Sequence, residues 1–113
     1  MDVRMIEGRP PEIHVEGEVD LGNVDRLSAA LSKSVTESPQ GIIIDMTDVT
    51  YIDSAGIQAV IWAYQELRKG GDGLMALVLG NRDVRMIFSL IHPELLPGFV
   101  VVDSVVEARA AFA

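Results

Sequence analysis

The sequence predicts a single α/β domain over residues 1–113, with one mixed, mostly parallel β-sheet and helices packed against it. Apolar residues make up 49% of the 113 residues and charged residues 23%, which is sufficient for a packed core. Two short aliphatic runs, Ile42–Ile44 and Leu74–Leu79, are typical of parallel strands that are buried on both faces. Helical patterns follow both runs, and this alternation indicates parallel central strands that helices shield.

The first part of the chain predicts two strands and a helix. Val3–Glu7 is a candidate strand, and Gly8–Pro11 has the composition of a turn. Apolar and polar residues then alternate from Ile13 to Asp20, which indicates a strand with one buried face. Apolar residues at helical spacing follow over Val24–Val35, with Asn23 as the expected N-cap. An opening hairpin is therefore expected beside the parallel strands.

The later elements complete the order β-β-α-β-α-β-α-β-α. Helical spacing predicts helices over Ile57–Leu67 and Val84–Ile91. Phe99–Val102 is the last predicted strand. Ser104 and Glu107 have the spacing of a capping box at the start of the final helix.

The charge balance argues against several classes of partner. Seventeen acidic residues face nine Lys and Arg, which gives a net charge of −8. Such a surface repels nucleic acid and anionic membranes, and no basic stripe compensates for it. The chain has no cysteine, no apolar run long enough to span a membrane and no export signal at its start, so a cytoplasmic protein is expected.

The segment from Asp45 to Gly56 is the strongest candidate for function. It joins a buried strand to the most apolar helix, beyond the carboxyl end of the strand, where open α/β sheets place their sites. Ser54 should lie at the start of this helix. Either Asp53 or Ser54 caps the helix, a contribution of ~1 kcal/mol, or Ser54 accepts a phosphoryl group whose charge the helix dipole and free amides accommodate. In the second case the phosphate would repel a bound partner.

Enzymatic alternatives lack the residues that they require. A hydrolase elbow needs glycine two residues before the serine, where this chain has Ile52, and neither His14 nor His92 is placed to pair with Ser54. A response-regulator receiver would phosphorylate Asp45 and would need a lysine near the last strands. The two lysines are instead in predicted helices, and no phosphate-binding glycine loop is present. We therefore expect no catalytic residues, metal or cofactor.

The helix after Ser54 offers a second candidate surface. At helical spacing, Ile57, Val60, Ile61 and Tyr64 share one face, and Trp62 falls on the other. An exposed Trp is a candidate binding hot spot, although it could instead lie flat against a neighbouring loop. The residues expected opposite the core face are Ala55, Ala59, Trp62 and Glu66.

Two motifs of the chain are specific enough to suggest a family. Residues 42–57 read I-I-I-D-M-T-D-V-T-Y-I-D-S-A-G-I, and residues 17–20 read G-E-V-D. The first run resembles the signature of the STAS family, and within it that of the bacterial anti-sigma factor antagonists; the second is similar to the family's second-strand motif. The length and the order of elements also agree, so the resemblance covers essentially the whole chain.

The resemblance implies a partner switch. The unphosphorylated antagonist binds an anti-sigma factor, which is itself a serine kinase, and frees the sigma factor; phosphorylation releases the antagonist, and a phosphoserine phosphatase restores it. By this resemblance Ser54 is the phosphoacceptor, Asp53 its acidic predecessor, Asp20 the acidic residue beside it and Gly56 the small residue that admits the partner. Ala55 replaces a second hydroxyl that many antagonists carry. The predicted partner-binding residues are Asp20, Asp53, Ser54, Ala55, Gly56, Gln58, Ala59 and Trp62.

A rival function lies within the same fold. Some small STAS proteins are constitutive subunits of other assemblies, such as lipid-transport ATPase complexes or stress-signalling scaffolds, and they dock through the same surface. Family members that do not switch often lack the acceptor serine, so the presence of Ser54 favours the regulated type. The resemblance also implies a monomer in the free state.

Overall fold

The computed structural model describes residues 1–113 as a five-stranded sheet in the order β1-β2-β3-β4-β5. β1 pairs with β2 antiparallel, and the remaining neighbours pair parallel. The predicted mixed, mostly parallel sheet is therefore confirmed. The strands are β1 (Asp2–Ile6), β2 (Glu12–Val19), β3 (Gly41–Ile52), β4 (Leu74–Leu79) and β5 (Phe99–Val102).

The helices divide unequally between the two faces of the sheet. Side chains of the first three helices join the large core on one face, here called the inner face, and the fourth helix packs on the outer face. The helices are α1 (Val24–Glu37), α2 (Ser54–Lys69), α3 (Arg82–Ser89) and α4 (Val105–Ala110), with a 3₁₀ turn over Pro93–Leu95. None of these helices is long and apolar enough to cross a membrane.

Alternation along the strands separates two apolar clusters. The inner cluster contains 24 buried residues, among them Ile42 and Ile44. The outer cluster contains four, which are Ile43, Ala76, Val78 and Ala108. Because adjacent residues of one strand point to opposite faces, the aliphatic run 42–44 supplies both clusters.

Strand β3 is much longer than the predicted Ile42–Ile44, and the expectation that 45–52 is a connecting segment is wrong. After the Met46–Leu79 pair, β3 continues to Ile52 beside β2 alone. The register between β2 and β3 shifts twice, so buried side chains recur every third residue, at Met46, Val49 and Ile52. This spacing departs from the strict alternation expected of a strand, so the sequence pattern did not predict the second half of β3.

Of two predicted helix starts, that of α4 is confirmed and that of α1 differs in its capping. Asn23 stands at the N-cap position of α1 but makes no capping bond. Its Oδ1 instead accepts from the amide of Asp20 (3.0 Å) and its Nδ2 donates to the carbonyl of Glu18 (2.9 Å). Ser104 caps α4 as predicted, accepting from the Glu107 amide at 3.1 Å, while Glu107 reaches back to the amide of Asp103.

Candidate functional site

Ser54 is exposed and is the first residue of α2, directly beyond the carboxyl ends of β2 and β3. The two strands remain paired to their ends, where Val19 pairs with Ile52. The amide of Asp53 then donates to the carbonyl of Val19 at 3.1 Å. The predicted position of Ser54 at the start of a helix is confirmed, on a backbone that the strand pair holds.

Asp53, rather than Ser54, caps helix α2. Its Oδ1 accepts from the amides of Ala55 (2.9 Å) and Gly56 (3.3 Å), which otherwise lack helical partners. The hydroxyl of Ser54 is therefore not consumed as a cap. The same bonds correct one expectation, because these two amides are not free to bind a phosphoryl group on Ser54.

The second oxygen of Asp53 reaches the turn between β2 and α1. Its Oδ2 accepts from the amide of Leu21 at 3.1 Å. In the same turn, Oδ1 of Asp20 accepts from the amides of Gly22 (2.9 Å) and Asn23 (3.2 Å). The fold thus brings Asp20 and Asp53 to the same corner, each with its carboxylate bonded to backbone.

Three of the predicted partner-binding side chains form one exposed stripe on α2. Ser54, Gln58 and Trp62 are four residues apart, which places them on one face of the helix, and all three are exposed. Trp62 keeps 40% of its surface accessible. The prediction that Trp62 faces away from the core is confirmed.

Two residues of the predicted set are buried instead. Ala59 has 8% of its surface exposed and belongs to the inner core, so its placement opposite the core face is wrong. Helix α2 packs against α1 as well as the sheet, which widens its buried face. Ile57 and Ile61, expected in the core, are only partly buried, so the buried face of α2 is centred away from the predicted one.

Gly56 is also buried, and its small size serves internal packing. A Cβ at this position would lie 2.5 Å from Cγ1 of Ile52 and 2.9 Å from Cγ1 of Val19. The glycine lets α2 approach the ends of β2 and β3. This packing is sufficient to explain the glycine without a role in admitting a partner. Of the other predicted partner-binding residues, Ala55, Asp53 and Asp20 are half-buried and remain accessible.

Both histidines bond carboxylates, His14 with Glu12 and His92 with Glu94, and neither bonds Ser54. His14 is on the outer face, where Nε2 is 3.1 Å from Oε1 of Glu12 and Nδ1 is 3.5 Å from Oδ2 of Asp45. The Arg109 guanidinium bonds both oxygens of Glu12, at 2.6 and 3.0 Å. These bonds hold the pKa of the Glu12 carboxyl below its ordinary value although burial opposes them. This network, missed from the sequence, joins α4 to β2.

The STAS domain family profile matches residues 4–107. The chain belongs to the STAS domain family. The anti-sigma-B factor antagonist of Listeria monocytogenes is 32% identical over 77 residues, which are 66% of this chain and 66% of the Listeria protein. BtrV of Bordetella bronchiseptica, a candidate anti-sigma factor antagonist, is 30% identical over 98 residues, which cover 87% of this chain and 82% of BtrV.

Solved structures have the same fold as this STAS domain. An anti-sigma factor antagonist from Mycobacterium paratuberculosis superimposes with a TM-score of 0.85 at 20% identity, over 98% of this chain and 92% of that protein. The phosphorylated form of SpoIIAA from Bacillus superimposes with a TM-score of 0.74 at 21% identity, over 99% and 100%. At these identities the likeness establishes the fold.

Proposed function

We propose that this STAS domain is an anti-sigma factor antagonist that acts by partner switching. The unphosphorylated form binds an anti-sigma factor that is a serine kinase, and this binding frees the sigma factor. Phosphorylation of Ser54 releases the domain, and a phosphoserine phosphatase reverses the modification. The protein itself is a cytoplasmic binding module rather than an enzyme.

The main support for the proposal is the position of Ser54. This residue is exposed at the start of the α2 stripe, and its hydroxyl does not cap the helix. A serine that capped its own helix could not be modified without loss of the cap, whereas here Asp53 performs that role. The Listeria relative is an anti-sigma factor antagonist. SpoIIAA, which has the same fold, has a solved structure in its phosphorylated form. Both facts support the assignment.

The switch acts through charge at the contact. A phosphoryl group adds roughly −1.5 to −2 charges beside the Asp53 carboxylate. Because Ala55 and Gly56 donate to Asp53, their amides do not neutralise that charge. A partner that buries Ser54 would have to desolvate the phosphate, so binding is lost while the fold is retained.

Binding to the purified anti-sigma factor kinase tests the proposal. We expect Ser54→Asp to weaken binding about 100-fold, because an unfavourable charge in an interface costs several kcal/mol and each 1.4 kcal/mol is about tenfold. Ser54→Ala should bind as tightly as the wild type and resist phosphorylation. The free energy of unfolding of both variants should lie within about 0.5 kcal/mol of the wild-type value, because neither variant removes the Asp53 cap.

Two results would contradict the switch. One is Ser54→Asp binding with wild-type affinity. The other is a kinase that leaves Ser54 unmodified while the protein resides permanently in a large complex, which would favour a constitutive subunit of another assembly that docks through the same surface.

A further inference from the structure

Leu21 is the most exposed large apolar side chain of the domain, with 78% of its surface accessible. It lies in the turn between β2 and α1, outside the residues predicted to bind the partner. Exposure alone does not distinguish it, because Leu90 and Leu95 are each 74% exposed. The difference is that a specific side chain fixes the backbone of Leu21.

That side chain is Asp53, which bonds two segments that are distant in sequence. Oδ1 caps α2, and Oδ2 accepts from the Leu21 amide at 3.1 Å. From the other side, Asp20 binds the two amides that follow Leu21. The turn is therefore ordered before any partner arrives, and an interface built on it avoids much of the entropy cost of ordering a loop.

We propose that Leu21 is an apolar anchor of the partner interface, and that Asp53 is the positioning residue that holds it beside Ser54. The inference rests on the proposed function and deepens it. The residue that caps the phosphoacceptor helix also sets the anchor, so Ser54, the exposed α2 stripe and Leu21 form one continuous docking surface.

The charge around the turn between β2 and α1 indicates which kind of partner surface would bind Leu21. Glu18 and Asp25 are exposed on either side of Leu21. Arg26 is the only cation between Gly17 and Leu27, and it donates to the carbonyl of Met1 at 3.0 Å. The complementary surface is an apolar pocket with a basic rim, and we assign that pocket to the anti-sigma factor.

The first test replaces Leu21 with alanine and measures binding to the purified anti-sigma factor kinase. We expect affinity to fall about 10- to 100-fold, the range for losing the burial of one leucine side chain. Leu95→Ala is the matched control, because Leu95 is the same residue type and 74% exposed but lies in the 3₁₀ turn before β5, three strands away from β2 in the sheet. It should bind as the wild type does.

The second test separates the two roles of Asp53. In Asp53→Asn the remaining oxygen can still cap α2, since Asn is a good N-cap residue, but the new NH₂ group cannot accept from the Leu21 amide. We expect binding about 3- to 10-fold weaker and faster hydrogen exchange at the Leu21 amide. In a Leu21→Ala background the same change should cost no further affinity, because its effect passes through Leu21.

Two outcomes overturn the inference. Leu21→Ala binding as tightly as Leu95→Ala would remove Leu21 from the interface. Asp53→Asn weakening binding equally in both backgrounds would make Asp53 a direct contact or a purely structural cap. Failure of the proposed switch is distinguishable, since Ser54→Asp would then bind normally while Leu21→Ala still bound weakly.

Discussion

The two faces of the sheet hold their helices by different means. On the inner face, side chains of α1, α2, α3 and the strands form a cluster of 24 buried apolar residues, most of them aliphatic. On the outer face, Ala108 of α4 packs on three buried apolar residues of the sheet, and Arg109 of the same helix bonds the buried carboxylate of Glu12. One face therefore depends on packing, and the other depends partly on ionisation.

The difference explains why the candidate site can change charge without loss of fold. Ser54 begins a helix whose buried residues belong to the inner core, so the helix is held by apolar contacts that a phosphate does not touch. The ionic part of the structure, around Glu12 and Arg109, lies on the other face. The proposed switch and the pH-sensitive contacts are thus separated.

The largest expected effects come from Ile44→Ala and Ile43→Ala, which test the difference in packing between the inner and outer faces. Both residues are fully buried, but they point into the inner and outer clusters respectively. Buried Ile→Ala changes cost about 2–5 kcal/mol, depending on how far the site can collapse. We expect Ile44→Ala near the top of that range and Ile43→Ala near the bottom, measured by urea unfolding. Equal costs would show that the outer cluster is packed as firmly as the inner one.

A smaller effect is expected for Glu12→Gln, which removes the charged partner of Arg109. Hydrogen bonds to charged groups contribute about 1.5–3 kcal/mol, and the exposure of Arg109 reduces this to about 1–2 kcal/mol through solvent screening. Glu16→Gln, on the exposed part of the same strand, is the control and should change the free energy of unfolding by less than about 0.5 kcal/mol.

The effect of Glu12→Gln on stability should depend on pH. Because the pKa of Glu12 is lowered from 4.5, the folded state binds fewer protons than the unfolded state as pH falls past that value. The stabilisation is present above pH 4.5 and disappears as pH falls through the folded-state pKa. The stability difference between wild type and Glu12→Gln should therefore vanish in acid; a difference that persists there would mean that Gln disrupts packing instead.

The sequence predicted the order of all strands and helices, because apolar periods, two continuous aliphatic runs and the capping box at Ser104 marked most of them. It failed over residues 45–52, where two register shifts replace alternation by a period of three. The β-branched and aromatic residues Thr47, Val49, Thr50 and Tyr51 were a signal that could have extended the strand.

The candidate site was predicted in part. The position of Ser54 followed from the junction between strand and helix, and the exposure of Trp62 followed from helical spacing. The burial of Ala59 did not follow, because a periodic pattern does not show that a second helix will pack beside α2. Glu12 and Arg109 pair across 97 positions of sequence, and Leu21 depends on a bond to Asp53 across 32. No local pattern contains such contacts.

The most direct test of the account is intact-mass and phosphosite mapping of the protein purified from its native cells, in growth and under stress. The account predicts a single phosphate, on Ser54, whose occupancy changes between the two conditions. An unmodified Ser54 in every condition, in a protein that remains within one stable complex, would contradict the partner switch.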